Sequence, residues 1–160
     1  MDAPAKIYGE RSVTITRVLK APRELVWRAW TDTEMLKQWW GPEQFTNPVV
    51  QGEVKVGGVM HITMHGPKGS PFDVDMPMVK RYVEIVPGRK LVFENEPLGP
   101  KGERMLAGLT TVTFADHPEG TLMEMTTSAK ALTPQSAGWL QGMDQGWGQS
   151  FDKLARLLAA

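Results

Sequence analysis

The sequence contains no cysteine, and this absence excludes disulfide bonds and thiolate chemistry. It also has no excess of charge, because 18 basic and 18 acidic residues among 160 give a formal net charge of zero. No overall electrostatic field therefore directs the chain toward nucleic acid or an anionic membrane. No run of about 18 apolar residues is present, and residues 1–11 lack the apolar core of a signal peptide. We expect a soluble cytoplasmic protein that binds neither nucleic acid nor a membrane.

Large polarisable side chains are abundant, with ten methionines and six tryptophans. Both residue types fill irregular cores, and both also line sites for apolar ligands. A chain of this length fits one domain that buries about two thirds of its unfolded surface. We predict a single domain over 12–158, preceded by a flexible N-terminal segment over 1–11.

The C-terminal stretch from Thr133 to Leu158 has the clearest helical period in the sequence. Its large apolar residues recur at intervals of three or four: Trp139, Met143, Trp147, Phe151, Leu154 and Leu158. A second stripe consists of Gly138, Gly142 and Gly146, each of which costs a helix about 1 kcal/mol relative to alanine. Two explanations stay open for this stripe, of which close packing against a sheet is the simpler. The other is room left for a ligand between helix and sheet.

The rest of the chain is mainly alternating in its polarity. Residues 12–20 alternate and predict a first strand, and two short amphipathic helices follow it up to the stop signal Gly41-Pro42. After residue 48 the alternation returns. It predicts about six more antiparallel strands, at 48–56, 60–65, 78–86, 90–95, 106–114 and 121–129.

A sheet of this kind buries one face only when another layer covers it, and the C-terminal helix is the only predicted element long enough. The predicted fold class is therefore α+β. We expect a curved antiparallel sheet of six to seven strands wrapped around a long C-terminal helix, with two short helices after strand 1. A cavity is expected between the sheet, the long helix and Trp39-Trp40.

Several motifs occur in an order that is typical of one protein family. They are Gln38-Trp39-Trp40-Gly41-Pro42, Val56-Gly57-Gly58 and Gly142-Met143-x-x-Gly146-Trp147. In these motifs the sequence resembles the activator of Hsp90 ATPase homologue 1-like (AHSA1-like) proteins. That family belongs to the SRPBCC superfamily of helix-grip folds, with START lipid carriers and Bet v 1-like allergens. The resemblance covers about Ser12 to Leu158.

The resemblance implies a helix-grip fold and a cavity more than a reaction, because most members of the family have no assigned activity. It implies no cofactor. The eukaryotic co-chaperone carries a separate N-terminal domain that contributes to chaperone binding, and these 160 residues leave no room for one. We therefore treat an Hsp90-type partner as the less favoured alternative. Local departures include Met60-His61, where an aromatic residue and arginine are common, and Lys80-Arg81, where a glycine is common.

Candidate catalytic and metal-binding residues are few. His61 and His65 are the only close histidine pair, and on a strand they lie about 13 Å apart, too far to ligate one ion at about 2 Å. We predict no metal site. Asp73 and Asp75 can act as paired carboxylates, although in a loop rich in proline they more simply solvate the chain. No nucleophile elbow or phosphate loop is present.

Apolar side chains that converge from separate elements form the candidate site. We predict that ten residues line a ligand cavity: Trp40, Phe45, Met60, Ile62, Met64, Phe93, Met123, Met125, Met143 and Trp147. The predicted function is binding of a small hydrophobic or aromatic molecule, rather than catalysis. One alternative is a cyclase-like or hydrolase-like enzyme that uses a carboxylate, His61 or His65 as its base. A chaperone-binding module is another, and an exposed sheet edge or helix could pair two copies into a homodimer.

Overall fold

Seven strands and three α-helices make up most of the chain in the computed structural model, which describes residues 6–159. The strands are β1 (Glu10–Leu19), β2 (Thr46–Gly52), β3 (Val59–His65), β4 (Asp75–Val86), β5 (Lys90–Pro97), β6 (Leu106–His117) and β7 (Gly120–Ala131). The helices are α1 (Arg23–Thr31), α2 (Thr33–Trp39) and α3 (Met143–Ala159). A 3-10 segment, Ser136–Gly142, directly precedes α3.

One antiparallel sheet contains all seven strands in the order β1-β7-β6-β5-β4-β3-β2. Each strand from β2 to β6 pairs with the next one along the chain, and β7 pairs with β1. The helix α3 covers one face of this sheet, and its Phe151 and Leu154 are fully buried in the main core. Asp32 caps α2, because its side chain accepts hydrogen bonds from the backbone N–H groups of Glu34 and Met35. This architecture confirms the predicted fold class.

The sheet begins earlier in the chain than the sequence pattern predicts. Strand β1 includes Glu10 and Arg11. Before it, the Tyr8 N–H donates to the Ala131 carbonyl at 2.9 Å, and the Ala131 N–H donates to the Gly9 carbonyl at 2.8 Å. Of the N-terminal segment predicted to be flexible, residues 1–5 lie outside the described residues.

Strand β2 ends at Gly52, four residues before its predicted end at Val56. Gly52 has a φ of 148°, and a Cβ at this position would overlap the Val59 carbonyl oxygen. Only glycine therefore suits this close approach. The following residues form a loop in which Glu53 and Lys55 make an exposed ion pair at 3.0 Å. Glu53 and Lys55 alternate with valines in a pattern typical of a strand, but these residues follow the turn at Gly52 and lie in a loop.

The predicted C-terminal helix is α-helical only from Met143 onward. The Thr133 hydroxyl accepts a hydrogen bond from the Ser136 N–H at 3.0 Å, although the residue at the N-cap of the 3-10 segment is Gln135, whose side chain makes no capping hydrogen bond. Glycines at 138 and 142 within that segment lower its α-helical preference. A Cβ added at either one would meet nothing within 4 Å, so no sheet packs closely on this part of the stripe. None of the helices within residues 6–159 has both the length and the apolarity to cross a membrane.

Trp30 of α1 lies at the centre of the main core and is fully buried. Its ring centroid is 4.8 to 6.5 Å from those of six other aromatic residues. We call these seven residues the aromatic cluster: Trp30, Trp39, Trp40, Phe93, Phe114, Trp147 and Phe151. They come from α1, from α2 and the residue after it, from β5 and β6, and from α3. The cluster therefore joins all three helices to the sheet.

Replacement of Trp30 by alanine should cost about 3–5 kcal/mol of unfolding free energy, because it leaves a large void between several elements. The matched control is Trp139→Ala, since the Trp139 side chain is 40% exposed and lies outside the aromatic cluster. We expect that change to alter stability by no more than about 0.5 kcal/mol. Urea unfolding followed by circular dichroism measures both values. Equal losses in the two variants would contradict the central role of Trp30.

Candidate functional site

The covered face of the sheet carries Lys80 among mainly apolar side chains, with the polar Asn95, Thr110 and Thr127 on the same face. In register, Lys80 of β4 lies opposite Met60 of β3 and Asn95 of β5. Side chains alternate between the two faces along a strand, so Met78, Lys80 and Tyr82 point the same way. All three are buried. The Lys80 side chain is therefore directed into the space between the sheet and the helices.

Aromatic rings surround the Lys80 amine. Its Nζ lies 4.1 Å from the ring centroid of Phe93 and 4.3 Å from that of Trp40. The Tyr82 and Trp30 rings are farther away, at 5.6 and 5.8 Å. Lys80 is fully buried, and its Nζ has no hydrogen-bond partner among the described residues. The electron-rich ring faces attract a cation, but they do not replace the hydrogen bonds that water would make.

Burial changes the ionisation of both polar side chains at this point. Desolvation lowers the pKa of Lys80 from its ordinary 10.5 to about 7. The same effect raises the pKa of Tyr82, whose Oη is also buried without a partner among residues 6–159. At neutral pH the site thus offers an amine that is partly uncharged and a phenol that keeps its proton. Buried polar atoms usually have partners, so two unsatisfied groups on one strand face require an explanation.

Eight of the ten predicted cavity residues belong to the main core or pack against it. Trp40, Met60, Ile62, Phe93, Met123 and Met125 are buried there, and Met64 and Trp147 pack on its edge. The other two lie elsewhere. Phe45 pairs with the half-exposed Phe72, with ring centroids 5.8 Å apart. Met143 packs on a separate small cluster that contains Leu106 and Leu140.

Trp147 forms the outer wall of this site. Its ring is nearly parallel to that of Trp30, at 17° and 6.5 Å between centroids, and meets the edge of Trp40 at 5.3 Å. Unlike those two, it is only partly buried. Gly146 and Gly148 flank it, and a Cβ on Gly146 would come no closer than 3.8 Å to Pro42. The backbone around Trp147 is therefore less constrained than in an ordinary helix.

The segment after α2 is attached to α3 by polar contacts. Lys153 Nζ donates to the carbonyl oxygens of Trp40, Gly41, Pro42 and Phe45 at 3.3 to 3.4 Å. Desolvation lowers the pKa of Lys153, and the nearby Glu43 carboxylate opposes part of that effect. The segment that carries Trp40 is thereby held on the side of α3, whereas the Trp147 side chain makes no hydrogen bond with residues 6–159.

Two surface hollows lie away from this interior. One, of about 280 Å³, is lined by Pro22, Glu24, Leu25 and Arg28. The other, of about 340 Å³, is lined mainly by charged residues, among them Glu94, Glu96 and Arg104. Neither contains any of the ten predicted residues. The interior around Lys80 is closely packed, so a ligand there requires side chains to move.

The histidines and paired aspartates lie outside the core. His61 and His65 share the face of β3 opposite to Met60 and Ile62. His65 lies 2.8 Å from Asp75 and 2.7 Å from Asp73, one carboxylate at each ring nitrogen. These hydrogen bonds, with that of Asp75 the larger influence, raise the pKa of His65. The three side chains hold the loop after β3 against β4 at the protein surface.

Sequence reasoning missed Lys80 as a site residue, although a signal was present. Met78-x-Lys80-x-Tyr82 places the lysine on the same strand face as two large, mainly apolar side chains. A charged residue within a strand is usually assigned to the solvent face. Pairing of Lys80 with Met60 identifies its true face, and that pairing depends on strand register.

The comparisons with known proteins agree with this architecture. The sequence model of the family described as Activator of Hsp90 ATPase homolog 1-like protein matches residues 20–159. A crystal structure of a protein from Chromobacterium violaceum is 25% identical, with a TM-score of 0.76 over 93% of this chain and 98% of that one. A putative uncharacterized protein from Rhizobium leguminosarum is also 25% identical, with a TM-score of 0.74 over 94% and 95%.

A third similar structure is the AHSA1 protein from Silicibacter pomeroyi, at 18% identity and a TM-score of 0.72 over 93% of this chain and 98% of that one. At that identity the likeness concerns the fold alone. No curated protein matches the sequence.

Replacement of Lys80 by methionine should stabilise the protein at neutral and acid pH. The folded-state pKa of about 7 lies below the ordinary 10.5, so the unfolded chain binds more protons between these values. Wild-type stability should therefore rise, relative to Lys80→Met, from about pH 7 toward pH 10, by on the order of 4 kcal/mol in total. Unfolding by urea at several pH values measures the difference. The exposed Lys101→Met serves as control, and parallel pH profiles for wild type and Lys80→Met would refute a buried, depressed amine.

The pKa of His65 should fall toward its ordinary 6.5 in Asp75→Asn, because an amide cannot stabilise the imidazolium as a carboxylate does. In the wild type, the stabilisation from the protonated His65 is complete from about pH 6.5 down to the pH at which Asp73 takes up its proton, and it is lost as the pH rises through the raised pKa of His65. Titration of the imidazole signals by NMR measures the shift. Asp116→Asn removes an exposed aspartate that pairs with Arg23 instead, and should leave His65 unchanged. An unaltered His65 titration in Asp75→Asn would rule out a hydrogen bond between His65 and Asp75 as the cause of the raised pKa.

Proposed function

The chain belongs to the family of Activator of Hsp90 ATPase homolog 1-like proteins, and from this premise we propose that it binds a small aromatic molecule between the sheet and α3. The ligand carries a carbonyl or carboxylate oxygen. This oxygen accepts a hydrogen bond from Lys80 Nζ, and the aromatic part lies among the rings of the aromatic cluster. The protein acts in the cytoplasm as a carrier or sensor of that molecule.

The observation that carries this proposal is the unpartnered amine of Lys80. An amine without hydrogen bonds in an apolar interior is destabilising by several kcal/mol unless an acceptor reaches it. A ligand oxygen supplies that acceptor and restores the hydrogen bond. Lys80 has no hydrogen-bond partner among the described residues and lies within 6 Å of four rings. The same rings supply flat apolar surface for an aromatic group.

The surrounding side chains favour a compact aromatic ligand over a long acyl chain. Ring faces and edges of Trp30, Trp40 and Phe93 surround the amine from several directions. Met60 and Met123 add flexible thioether side chains that can adjust to an inserted ring. Small-molecule sites commonly combine such an apolar lining with one or two polar groups that fix orientation.

Entry to the site requires displacement of Trp147. Its side chain is the partly exposed member of the aromatic cluster, and its flanking glycines permit backbone adjustments that other residues would resist. Rotation of this side chain outward uncovers Trp30 and Trp40, which lie beneath it. The closed arrangement is then the ligand-free state, and binding selects the open one.

A second candidate function is contact with a chaperone of the Hsp90 type. The family description names such an activity for its founding homologue. The specific feature that favours it here is an exposed apolar pair, since Phe72 and Val74 are 48% and 53% exposed beside the partly buried Phe45. Co-elution with an Hsp90 middle domain tests it. Loss of co-elution in Phe72→Ser would support this surface, and no complex with the wild type would reject it.

We expect 2-naphthoate to bind with a 1:1 stoichiometry and to shift the methyl NMR signals of Met60, Met123 and Met125, which lie in the main core. Lys80→Met should weaken binding by about 10- to 100-fold, since a charge-assisted hydrogen bond is worth about 1.5–3 kcal/mol. Isothermal titration calorimetry measures the affinity. Lys101→Met, at an exposed position, should bind as the wild type does. If the wild type and Lys80→Met bound 2-naphthoate with equal affinity, the proposed role of the Lys80 amine would be wrong.

A further inference from the structure

The chemistry of Lys80 goes beyond a hydrogen bond, because its amine is buried among rings, has no hydrogen-bond partner among the described residues and is partly uncharged at neutral pH. A lysine desolvated in a hydrophobic pocket is a recognised means of activating an amine toward carbonyl carbon. Resting on the proposed function, we propose that Lys80 takes aromatic aldehydes or ketones as ligands and attaches them covalently and reversibly as an imine. The ligand class is thereby narrowed from aromatic molecules with an oxygen acceptor to aromatic carbonyl compounds.

The geometry supports attack by Nζ. Its nearest neighbours are the faces of Phe93 and Trp40, at 4.1 and 4.3 Å, so neither an ion pair nor a hydrogen bond within the described residues occupies the lone pair. Burial alone lowers the pKa of Lys80, and no charged group contributes to the shift. At pH 7 about half of the amine is therefore uncharged, compared with less than about 0.1% of an ordinary lysine.

The step balances without any further reactant. The Nζ lone pair forms a bond to the carbonyl carbon, and a proton passes from nitrogen to the former carbonyl oxygen to give a carbinolamine. Loss of that hydroxyl with a second proton from nitrogen releases one water molecule and leaves the C=N bond. No electrons are gained or lost overall, so neither an oxidant nor a reductant is needed.

Tyr82 is placed to assist this step. It lies two residues from Lys80 on the same strand face, and its ring centroid is 5.6 Å from Nζ. Because burial raises its pKa, its phenol keeps the proton and can donate a hydrogen bond to the carbonyl or carbinolamine oxygen. We assign Tyr82 a positioning role toward that oxygen. The surrounding rings exclude water, which protects the imine from hydrolysis until the site opens.

The test treats the intact protein at pH 7 with 2-naphthaldehyde and sodium cyanoborohydride, which reduces an imine to a stable secondary amine. Mass spectrometry of the intact chain counts the additions, and peptide mapping locates them. We expect one addition, at Lys80, at least 10-fold faster than at any surface lysine. Excess 2-naphthoate should suppress it by occupying the same site. Lys80→Met should lose the fast addition, whereas Lys101→Met should keep it.

Two further variants test whether Trp147 limits entry to the site and whether Tyr82 assists imine formation. Trp147→Ala should accelerate the addition at Lys80 several-fold by uncovering the site, and Tyr82→Phe should slow it while 2-naphthoate still binds. Unfolding in urea should abolish the preference for Lys80, because the preference depends on burial. Labelling spread evenly over the lysines of the folded protein would overturn the imine proposal.

The failures of the two proposals are distinguishable in the same experiments. If 2-naphthoate binds in a Lys80-dependent manner but the aldehyde is not trapped there, the imine is wrong and the proposed binding function stands. If neither probe binds and Lys80 is not labelled, both proposals fail. Fast labelling that 2-naphthoate does not suppress would support the nucleophile and count against a shared site.

Discussion

The burial of Trp30 is the constraint on which the rest of the structure depends. Its ring centroid lies within 6.5 Å of those of six aromatic residues, which come from α2 and the residue after it, two strands and α3. Its one polar atom, the indole nitrogen, donates to the Met123 sulfur at 3.3 Å. A sheet curved around one helix leaves a wide interior, and small aliphatic side chains would fill it poorly. Large rings fill this space and fix the positions of α1, α2 and α3 together.

Because aromatic rings fill the interior, the buried position of Lys80 is unusual. The aromatic cluster creates an interior with few hydrogen-bond acceptors, yet β4 directs an amine into it. Attraction to the ring faces of Trp40 and Phe93 recovers part of the lost hydration, typically about 1–2 kcal/mol, which is less than full desolvation costs. A methionine of similar length would be more stable at this position. Violations of a folding rule without local compensation are expected mainly at functional sites.

The helices and strands were predictable because their polarity patterns have clear periods. The residues that form the candidate site were harder to predict from the sequence. The sequence predicted a strand before Gly52, but the alternating pattern continues beyond it within a loop, because the Gly52 backbone allows the chain to turn there. Met143 follows the helical stripe yet packs on a second cluster, because the glycines before it place the first part of the segment in a 3-10 conformation. The sequence could not show that Lys80 faces the interior, because that assignment needs the register between β3 and β4. The register in turn depends on contacts between residues far apart in the sequence.

The closed interior has an energetic consequence for any ligand. Lys153 holds the backbone around Trp40 to α3 through four carbonyl contacts, so the wall formed by Trp40 is fixed. The Trp147 side chain packs against the main core, and its ring contacts are each worth about 0.5–1.5 kcal/mol beyond the area that it buries. If displacing this ring costs about 2–3 kcal/mol, the open state is populated at about 1–3% and the apparent affinity falls by the same factor. That cost is offset when a ligand ring replaces Trp147 against Trp30 and its oxygen reaches the amine. Under the proposed function, opening and recognition are therefore coupled, because only a molecule with both an aromatic part and an acceptor recovers both losses.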